Sequence, residues 1–267
     1  MHPALRYGRK FLKLALVLGV AGYVLPRLTI FYVACGLVDA GRSGWRFDTF
    51  DRYFLGNGVT VWLLSPLNLL LDLLSLPHRN KGVYALDDLP EGHRREIQRI
   101  VDLARERRVV EQLEPKLRDD PRSMLFFKWH GANRPASIDV PEFHERYEHV
   151  RTIGVSVLDR HASTSEHFGP LRMTLRVLYN LTPVSSGDVY IRVGGRRHEW
   201  RHNPLFIFDD TLSHQSVNGS DARRYCLFLD VMRPAPWPGL LRAVVAPLQA
   251  VVGRINAAFY RRWTFVE

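Results

Sequence analysis

The sequence predicts a mainly β fold, an antiparallel sandwich or jelly roll, accompanied by flanking helices and an apolar N-terminal segment. Short apolar runs typical of strands recur at regular intervals from Arg151 onward, and no long helical pattern interrupts them. A charged amphipathic periodicity over 88–110 predicts one helix before these strands. Long apolar runs occupy much of the first 77 residues.

The 267 residues are enough for one folded domain with attached segments. We expect membrane-associated apolar segments over 1–77, a folded domain over 78–235 and a basic amphipathic helix over 236–267. Within the domain, 88–110 is the helical lead-in and 151–235 is the jelly roll. The two cysteines are too few for a disulfide framework.

The first apolar stretch, 14–38, is long enough to cross a bilayer. Arg27 follows Pro26 near its middle, so the segment either breaks there into two interfacial pieces or lets the arginine snorkel to the surface. A second apolar run, 59–76, contains Asp72, and it is either an amphipathic helix on the domain or another membrane segment. Two spanning segments would form a hairpin, and the basic residues at its outer ends predict that both ends face the cytoplasm.

The formal net charge of +10 and the pI of about 9.9 suit an anionic partner, such as an acidic membrane surface or a phosphorylated substrate. No zinc-finger spacing or RNA-binding signature accompanies this charge, so nucleic acid is not the expected partner. The apolar run 238–263 closes on Arg261, Arg262 and Trp263. This run suits either a lipid headgroup surface or a helix packed on the domain.

The strand-like runs are short, and turn residues bound them. We predict strands at 152–158, 171–181, 188–193, 198–200, 205–208, 213–217 and 223–231. Gly194 and Gly195 separate two of these runs, and such a pair is typical of a two-residue hairpin. The aromatic run 124–129 is either a further buried strand or a lid element.

Two histidines and one arginine stand at positions where a jelly roll can bring them together. His167 precedes a predicted strand, and His214 follows another. Neutral imidazoles bind iron in non-haem oxygenases, whose remaining metal positions stay open for co-substrate and oxygen. Arg224, one strand further on, has the planar fork that binds a carboxylate. This spacing alone is not diagnostic of a metal site, and a structural role for each residue stays open.

The motifs around these residues narrow the choice between a metal site and separate structural roles. They are HFGP at 167–170, TLRV at 174–177, FIFDDTLSH at 206–214, Arg224, and LFLDVMRP at 227–234. In order and spacing they resemble the aspartyl/asparaginyl β-hydroxylase family, whose members are iron(II)- and 2-oxoglutarate-dependent dioxygenases on a double-stranded β-helix. The resemblance is clear over 152–234. Three further stretches, SPLNLLLDLLSLP, YALDDLPE and FFKWHG, are similar to the family's membrane-bound branch, which includes the lipid A acyl-chain 2-hydroxylase.

The resemblance implies a role for each matching residue. His167 and His214 match the two iron ligands. Arg224 matches the arginine that pairs with the far carboxylate of 2-oxoglutarate. Arg176 and Ser156 match residues that also contact this co-substrate.

Two departures from the family pattern stand out. The third, carboxylate ligand is expected at position 169, where this chain has Gly169; the protein-substrate branch also has glycine there and works with two histidines. Asp210 matches an acidic residue that holds a metal-bound water. The co-substrate-binding histidine expected two residues after Arg176 is replaced by Leu178, so some co-substrate contacts differ from the family pattern.

Three hypotheses follow. The first is a dioxygenase that uses Fe(II), 2-oxoglutarate and molecular oxygen to hydroxylate an acyl chain of a membrane lipid, such as lipid A or an ornithine lipid. It predicts a membrane-associated protein, at a bacterial inner membrane, with the dioxygenase domain (78–235) facing the cytoplasm. The second is a β-hydroxylase of Asp or Asn side chains in a protein or peptide, for which Gly169 speaks. The third is a jelly-roll binding module that has lost iron, and Gly169 and Leu178 support it.

Overall fold

The computed structural model describes residues 3–42, 44, 46–78, 80–254 and 263–266. Its helices are α1 (Pro3–Val24), α2 (Pro26–Gly41), α3 (Phe47–Leu55), α4 (Val59–Leu63), α5 (Ser65–Leu74), α6 (Glu91–Glu106), α7 (Val109–Leu113) and α8 (Pro238–Arg254). Its strands are β1 (Val83–Tyr84), β2 (Arg122–Trp129), β3 (Ala132–Asn133), β4 (Val150–Leu158), β5 (Thr174–Asn180), β6 (Val189–Val193), β7 (Arg196–Glu199), β8 (Leu205–Phe208), β9 (His214–Asn218), β10 (Arg224–Met232) and β11 (Thr264–Phe265).

Within the described residues, these strands form two sheets. The larger sheet has the order β1-β8-β5-β10-β4-β2-β11, with β3 paired to β2, and the smaller sheet has the order β7-β6-β9. The pairs are antiparallel except for β11 with β2. Gly194 and Gly195, with φ values of +53° and +85°, form the predicted hairpin between β6 and β7. The predicted β fold with flanking helices is confirmed in this part of the chain.

The side chains of the central strand β10 alternate between two cores. Tyr225, Leu227 and Leu229 belong to the core shared with α6 and α7. Cys226 and Phe228 belong to the core shared with the smaller sheet. Both faces of the larger sheet are therefore covered, which explains why β10 reads as a nearly continuous apolar run.

Prolines divide both apolar runs of the N-terminal part into shorter helices. Pro26 begins α2 because a proline lacks the amide donor that a helix interior requires, and Pro66 stands in the first turn of α5. Basic residues also occupy the first half of α1. None of the helices in the described ranges combines the length and the apolar composition that crossing a bilayer requires. The predicted spanning segments within 1–77 are therefore not supported.

A buried charge network joins α2 and α5 to the sheets. The Arg172 side chain is 2% exposed, and it donates to Asp39 on α2 and, at 2.7 Å, to Asp72 on α5. Arg42, which follows α2, donates to Asp209 at 2.9 Å. Burial acts to raise the pKa of Asp209, but the surrounding arginines outweigh it and hold this pKa below its usual range. The network fixes the N-terminal helices against the strand end that leads to the candidate site.

The C-terminal part does not follow the predicted single helix. Helix α8 ends at Arg254, and Arg261 and Arg262 lie outside the described residues. Thr264 and Phe265 form β11 instead, which pairs with Ser123 and Met124 at the edge of β2. The edge strand β2 supplies unpaired backbone donors and acceptors there, and these stabilise an extended segment.

Replacing Arg172 with Met should lower the free energy of unfolding by roughly 3–5 kcal/mol, because Asp39 would stay buried without its closest cation. Arg95→Met is the matched control, since the Arg95 and Glu91 side chains are 75% and 72% exposed and their ion pair contributes little. Denaturant unfolding measures both variants. Equal stabilities would contradict the structural role of the charge network.

Candidate active site

His167 and His214 lie side by side because an isolated β bridge joins the segment before β5 to the start of β9. The His167 amide donates to the His214 carbonyl at 3.0 Å, and the His214 amide donates back to the His167 carbonyl at 2.8 Å. The centroids of the two imidazole rings are 4.2 Å apart. The fold thus brings together the two predicted metal ligands.

Both imidazoles are held in the same tautomer. Nδ1 of His167 lies 2.7 Å from the carbonyl oxygen of Ser165, and Nδ1 of His214 lies 2.8 Å from that of Leu212. A carbonyl only accepts, so each Nδ1 carries the proton and each Nε2 keeps its lone pair. Burial lowers the pKa of His167 and holds that of His214 well below its usual value. The two rings are therefore neutral at pH 7 and able to bind a metal.

Position 169 has no room for a side chain, so it requires glycine. The Gly169 amide donates to the Asp210 carbonyl at 2.7 Å, which sets the two residues next to each other. A Cβ added at Gly169 would lie 2.4 Å from both Cγ and Oδ2 of Asp210. The Asp210 carboxylate therefore fills the space into which a side chain at position 169 would project.

Asp210 is held by Arg176. The Arg176 guanidinium donates to Asp210 at 3.0 Å and to Asp230 at 2.7 Å, and it lies over the Phe228 ring. Burial raises the pKa of Asp210 to about 7, although Arg176 acts to lower it. Oδ1 of Asp210 is buried and has no hydrogen-bond partner in the described part of the chain. Arg176 thus binds two carboxylates here, and its predicted contact with a co-substrate stays a prediction.

Arg224 is a buried cation whose guanidinium is not satisfied. Its side chain faces the same space as the histidines, and Trp200 packs beside it at 5.3 Å. Nε and Nη1 of Arg224 are buried without a hydrogen-bond partner among the described residues, and burial lowers the pKa of the guanidinium. Ser156 lies on the neighbouring strand β4, where its hydroxyl donates to the Cys226 carbonyl at 3.3 Å. A buried cation in this condition fits an incoming carboxylate.

One cavity of about 170 Å³ contains all of these groups. The predicted site residues in its wall are Ser156, His167, Arg176, Asp210, His214 and Arg224. Leu178 lines it too, at the position where the family pattern has a co-substrate-binding histidine. His130 and Trp263 also line it, and sequence reasoning had assigned neither to the site. The sequence placed Trp263 either at a lipid headgroup surface or in a helix packed on the domain, and the pairing of β11 with β2 brings it to the cavity.

The donor set fits the family's metal. Two neutral Nε2 atoms are the ligands that Fe(II) accepts from histidine, and the remaining positions stay open. Within the described residues, no group of three or more His, Cys, Asp or Glu side chains is arranged to hold a metal. The described residues that line the cavity supply two histidine nitrogens, a nearby carboxylate at Asp210 and a separate cation at Arg224.

Comparison with known proteins finds one partial relative and several weak structural likenesses. The chain is 33% identical over 73 residues to the ornithine lipid ester-linked acyl 2-hydroxylase of Rhizobium tropici, and the match covers 27% of this chain and about a quarter (26%) of that protein. An oxidoreductase of the 2OG-Fe(II) oxygenase family from Burkholderia pseudomallei matches 50% of this chain and 78% of its own, at 15% identity and a TM-score of 0.31. A Cupin 2 conserved barrel domain protein from Salinispora arenicola CNS-205 matches 43% of this chain and 82% of its own, at 16% identity and a TM-score of 0.27.

If the Asp210 carboxylate supports a bound metal, Gly169→Ala should lower the affinity for Co(II), used as a stable substitute for Fe(II), by about tenfold or more, because the new methyl group would displace that carboxylate. Gly239→Ala is the matched control, since nothing lies within 4 Å of a Cβ added there. Titration calorimetry measures both affinities. Wild-type affinity in Gly169→Ala would show that the Asp210 carboxylate has no part in metal binding.

The family comparison agrees with this geometry. A family model described as aspartyl/asparaginyl beta-hydroxylase matches residues 94–234, which is more than half of the chain. The matched region contains both histidines, Asp210 and the predicted co-substrate residues from Ser156 to Arg224. This chain belongs to the aspartyl/asparaginyl β-hydroxylase family.

Proposed function

We propose that this protein is an Fe(II)- and 2-oxoglutarate-dependent dioxygenase that hydroxylates an acyl chain of a membrane lipid of the lipid A or ornithine-lipid type. The observation that carries the proposal is the presence, in one cavity, of two Nε2 atoms and a buried arginine for which the described residues provide no anionic partner. A bound metal would be ligated by the two Nε2 atoms, and an anionic co-substrate would pair with the buried arginine. When bound, Fe(II) and 2-oxoglutarate supply the oxygen-activating chemistry that amino-acid side chains lack.

The chain's own residues have separate tasks in this proposal. His167 and His214 hold the metal, and their Nδ1–H bonds to backbone carbonyls keep each Nε2 aimed at it. Arg224 binds the far carboxylate of 2-oxoglutarate. Arg176 orients Asp210, whose Oδ1 has no partner among the described residues and can accept a hydrogen bond from a water.

The surface of the N-terminal helices supports a lipid substrate. Phe11, Leu16 and Ile30 are 67%, 66% and 69% exposed, which is unusual for side chains of this size unless they meet a membrane or another protein. Lys10 and Lys13 lie among them, and they line an apolar groove of about 590 Å³ together with side chains of α1 to α4. Apolar side chains beside basic ones suit an anionic membrane surface.

The other support for a lipid substrate comes from the partial relative. That relative is named for 2-hydroxylation of an ester-linked acyl chain of an ornithine lipid. Together with the net charge of +10, it favours an anionic or zwitterionic membrane lipid, met at the cytoplasmic face of a bacterial inner membrane.

The substrate assay uses the purified full chain with Fe(II) and 2-oxoglutarate in detergent micelles that contain ornithine lipid or lipid A. We expect succinate formation to rise with lipid, the lipid to gain one oxygen atom by mass spectrometry, and His214→Ala to abolish both. An Asp- and Asn-containing peptide is the competing substrate. Oxygen gain by the peptide alone would replace the lipid proposal with the β-hydroxylase alternative.

Arg224→Met should raise the KM for 2-oxoglutarate by about ten- to a hundredfold, the value of one charge-assisted bond pair. Because Arg224 is buried and no carboxylate of the described residues pairs with it, this variant should be at least as stable as the wild type in thermal unfolding. Arg192→Met, on the exposed face of β6, is the matched control and should leave both values unchanged. A normal KM in Arg224→Met would remove Arg224 from co-substrate binding.

A further inference from the structure

His130 occupies one of the two loop positions of a tight hairpin between β2 and β3. Lys128 pairs with Asn133 and Trp129 pairs with Ala132, so His130 and Gly131 alone connect the strands. Their φ values are +47° and +88°. Positive φ at both central residues is the signature of a type I′ turn.

Histidine is less favoured in this turn than Asn, Asp or Gly. The first position of a type I′ turn favours Asn, Asp or Gly, because these residues adopt a left-handed conformation at little cost. A non-glycine residue with positive φ is uncommon and, inside a functional cavity, points to a use for its side chain. Asn or Gly would therefore adopt the backbone conformation of this position at lower cost than His130 does.

The imidazole of His130 lines the same cavity as the candidate metal ligands. Its ring packs edge-on against Trp129, at 4.5 Å between centroids. Nδ1 of His130 is buried and has no hydrogen-bond partner in the described part of the chain. A buried polar nitrogen without a partner is costly, and a bound ligand would satisfy it.

The other ionisable groups of the cavity wall already have tasks. His167 and His214 face the metal, and Arg224 faces the co-substrate. Arg176 is paired with Asp210 and Asp230. Among the ionisable side chains that the structure describes in this wall, His130 is the one that neither the proposed metal, the proposed co-substrate nor an ion pair accounts for.

The electrostatic surroundings indicate what kind of group His130 binds. Burial lowers its pKa; the Asp230 carboxylate acts in the opposite direction, and the Arg176 and Arg151 guanidinium groups add to the lowering. The ring is therefore neutral at pH 7, with one nitrogen that donates and one that accepts. A neutral ring suits a neutral polar group such as an ester or amide carbonyl better than a phosphate or a carboxylate.

We propose that His130 is a substrate-binding residue whose Nδ1–H donates to the carbonyl oxygen of the acyl group. The carbonyl is the one strongly polar group on an otherwise apolar chain, so a hydrogen bond to it selects which carbon reaches the metal. The carbon presented is the one beside the carbonyl. This inference rests on the proposed function and deepens it by assigning the residue that determines the hydroxylation position.

The test compares His130→Gly with His130→Asn, both of which fit a type I′ turn. Glycine removes the polar group, whereas the Asn amide nitrogen lies near the position of Nδ1. Each variant is assayed with ornithine lipid in micelles for hydroxylated lipid per succinate, for the position of the hydroxyl by fragmentation mass spectrometry, and for Co(II) affinity by calorimetry.

We expect His130→Gly to lose about three- to tenfold in hydroxylated lipid per succinate, the value of one neutral hydrogen bond, and to spread the hydroxyl over several carbons. His130→Asn should keep most of the ratio and a single position, and both variants should keep wild-type Co(II) affinity and thermal stability. If His130 serves the turn alone, His130→Gly will keep the wild-type yield of hydroxylated lipid per succinate and the wild-type position of the hydroxyl group. That result would overturn the proposal.

Other outcomes overturn part or all of this assignment, and they distinguish it from the proposed function. Equal impairment of the Asn and Gly variants would overturn the assignment of Nδ1 as the donor. A wild-type protein that leaves ornithine lipid and lipid A unmodified would overturn the proposed function and this inference together. Active wild type with an unaffected Gly variant overturns this inference alone.

Discussion

Two reciprocal backbone hydrogen bonds between His167 and His214 are the constraint on which the site depends. They fix the distance between the imidazoles before any metal is present, and the bonds from each Nδ1 to a carbonyl then fix the tautomer. The Gly169 amide extends the same contact to the Asp210 carbonyl. One short stretch of pairing therefore sets the positions of both proposed metal ligands and of the Asp210 carboxylate beside them.

The neighbouring carboxylates of Asp209 and Asp210 have different roles: one stabilises the fold, and the other lies in the cavity. Asp209 belongs to the arginine network that fixes the N-terminal helices, and its pKa is held low there. Asp210, one residue later, turns into the cavity, where burial raises its pKa to about 7. Asp209 is hydrogen-bonded and stabilises the fold, whereas Asp210 and Arg224 have buried polar atoms without a hydrogen-bond partner among the described residues. Such unsatisfied atoms lower stability, and their position in one cavity indicates a binding site.

Much of the sheet and of the site could be predicted from local sequence. Apolar runs gave strands within a few residues of β4 to β10, and two adjacent glycines located one hairpin. The histidine pair and Arg224 were predicted from motifs, and the fold brings them to one cavity. Position in the sequence could not show that Asp210 fills the space beside Gly169, because that contact arises only when the chain segments before β5 and β9 pair.

Other features depend on contacts between distant segments, and local patterns did not reveal them. Trp263 reaches the cavity only through the pairing of β11 with β2. Arg176 meets Asp230 across β5 and β10, and the motif alone does not reveal this ion pair. For His130, one signal was available: a His-Gly pair where a hairpin prefers Asn-Gly.

The central claim is that the two histidines and Arg224 bind Fe(II) and 2-oxoglutarate together. Chelation of Fe(II) by 2-oxoglutarate gives a metal-to-ligand charge-transfer band in the visible spectrum, which anaerobic titration of the full chain measures directly. We expect the band only when metal and 2-oxoglutarate are both present, and we expect it to be absent from His214→Ala. A wild-type protein that binds both additions without the band would contradict the account.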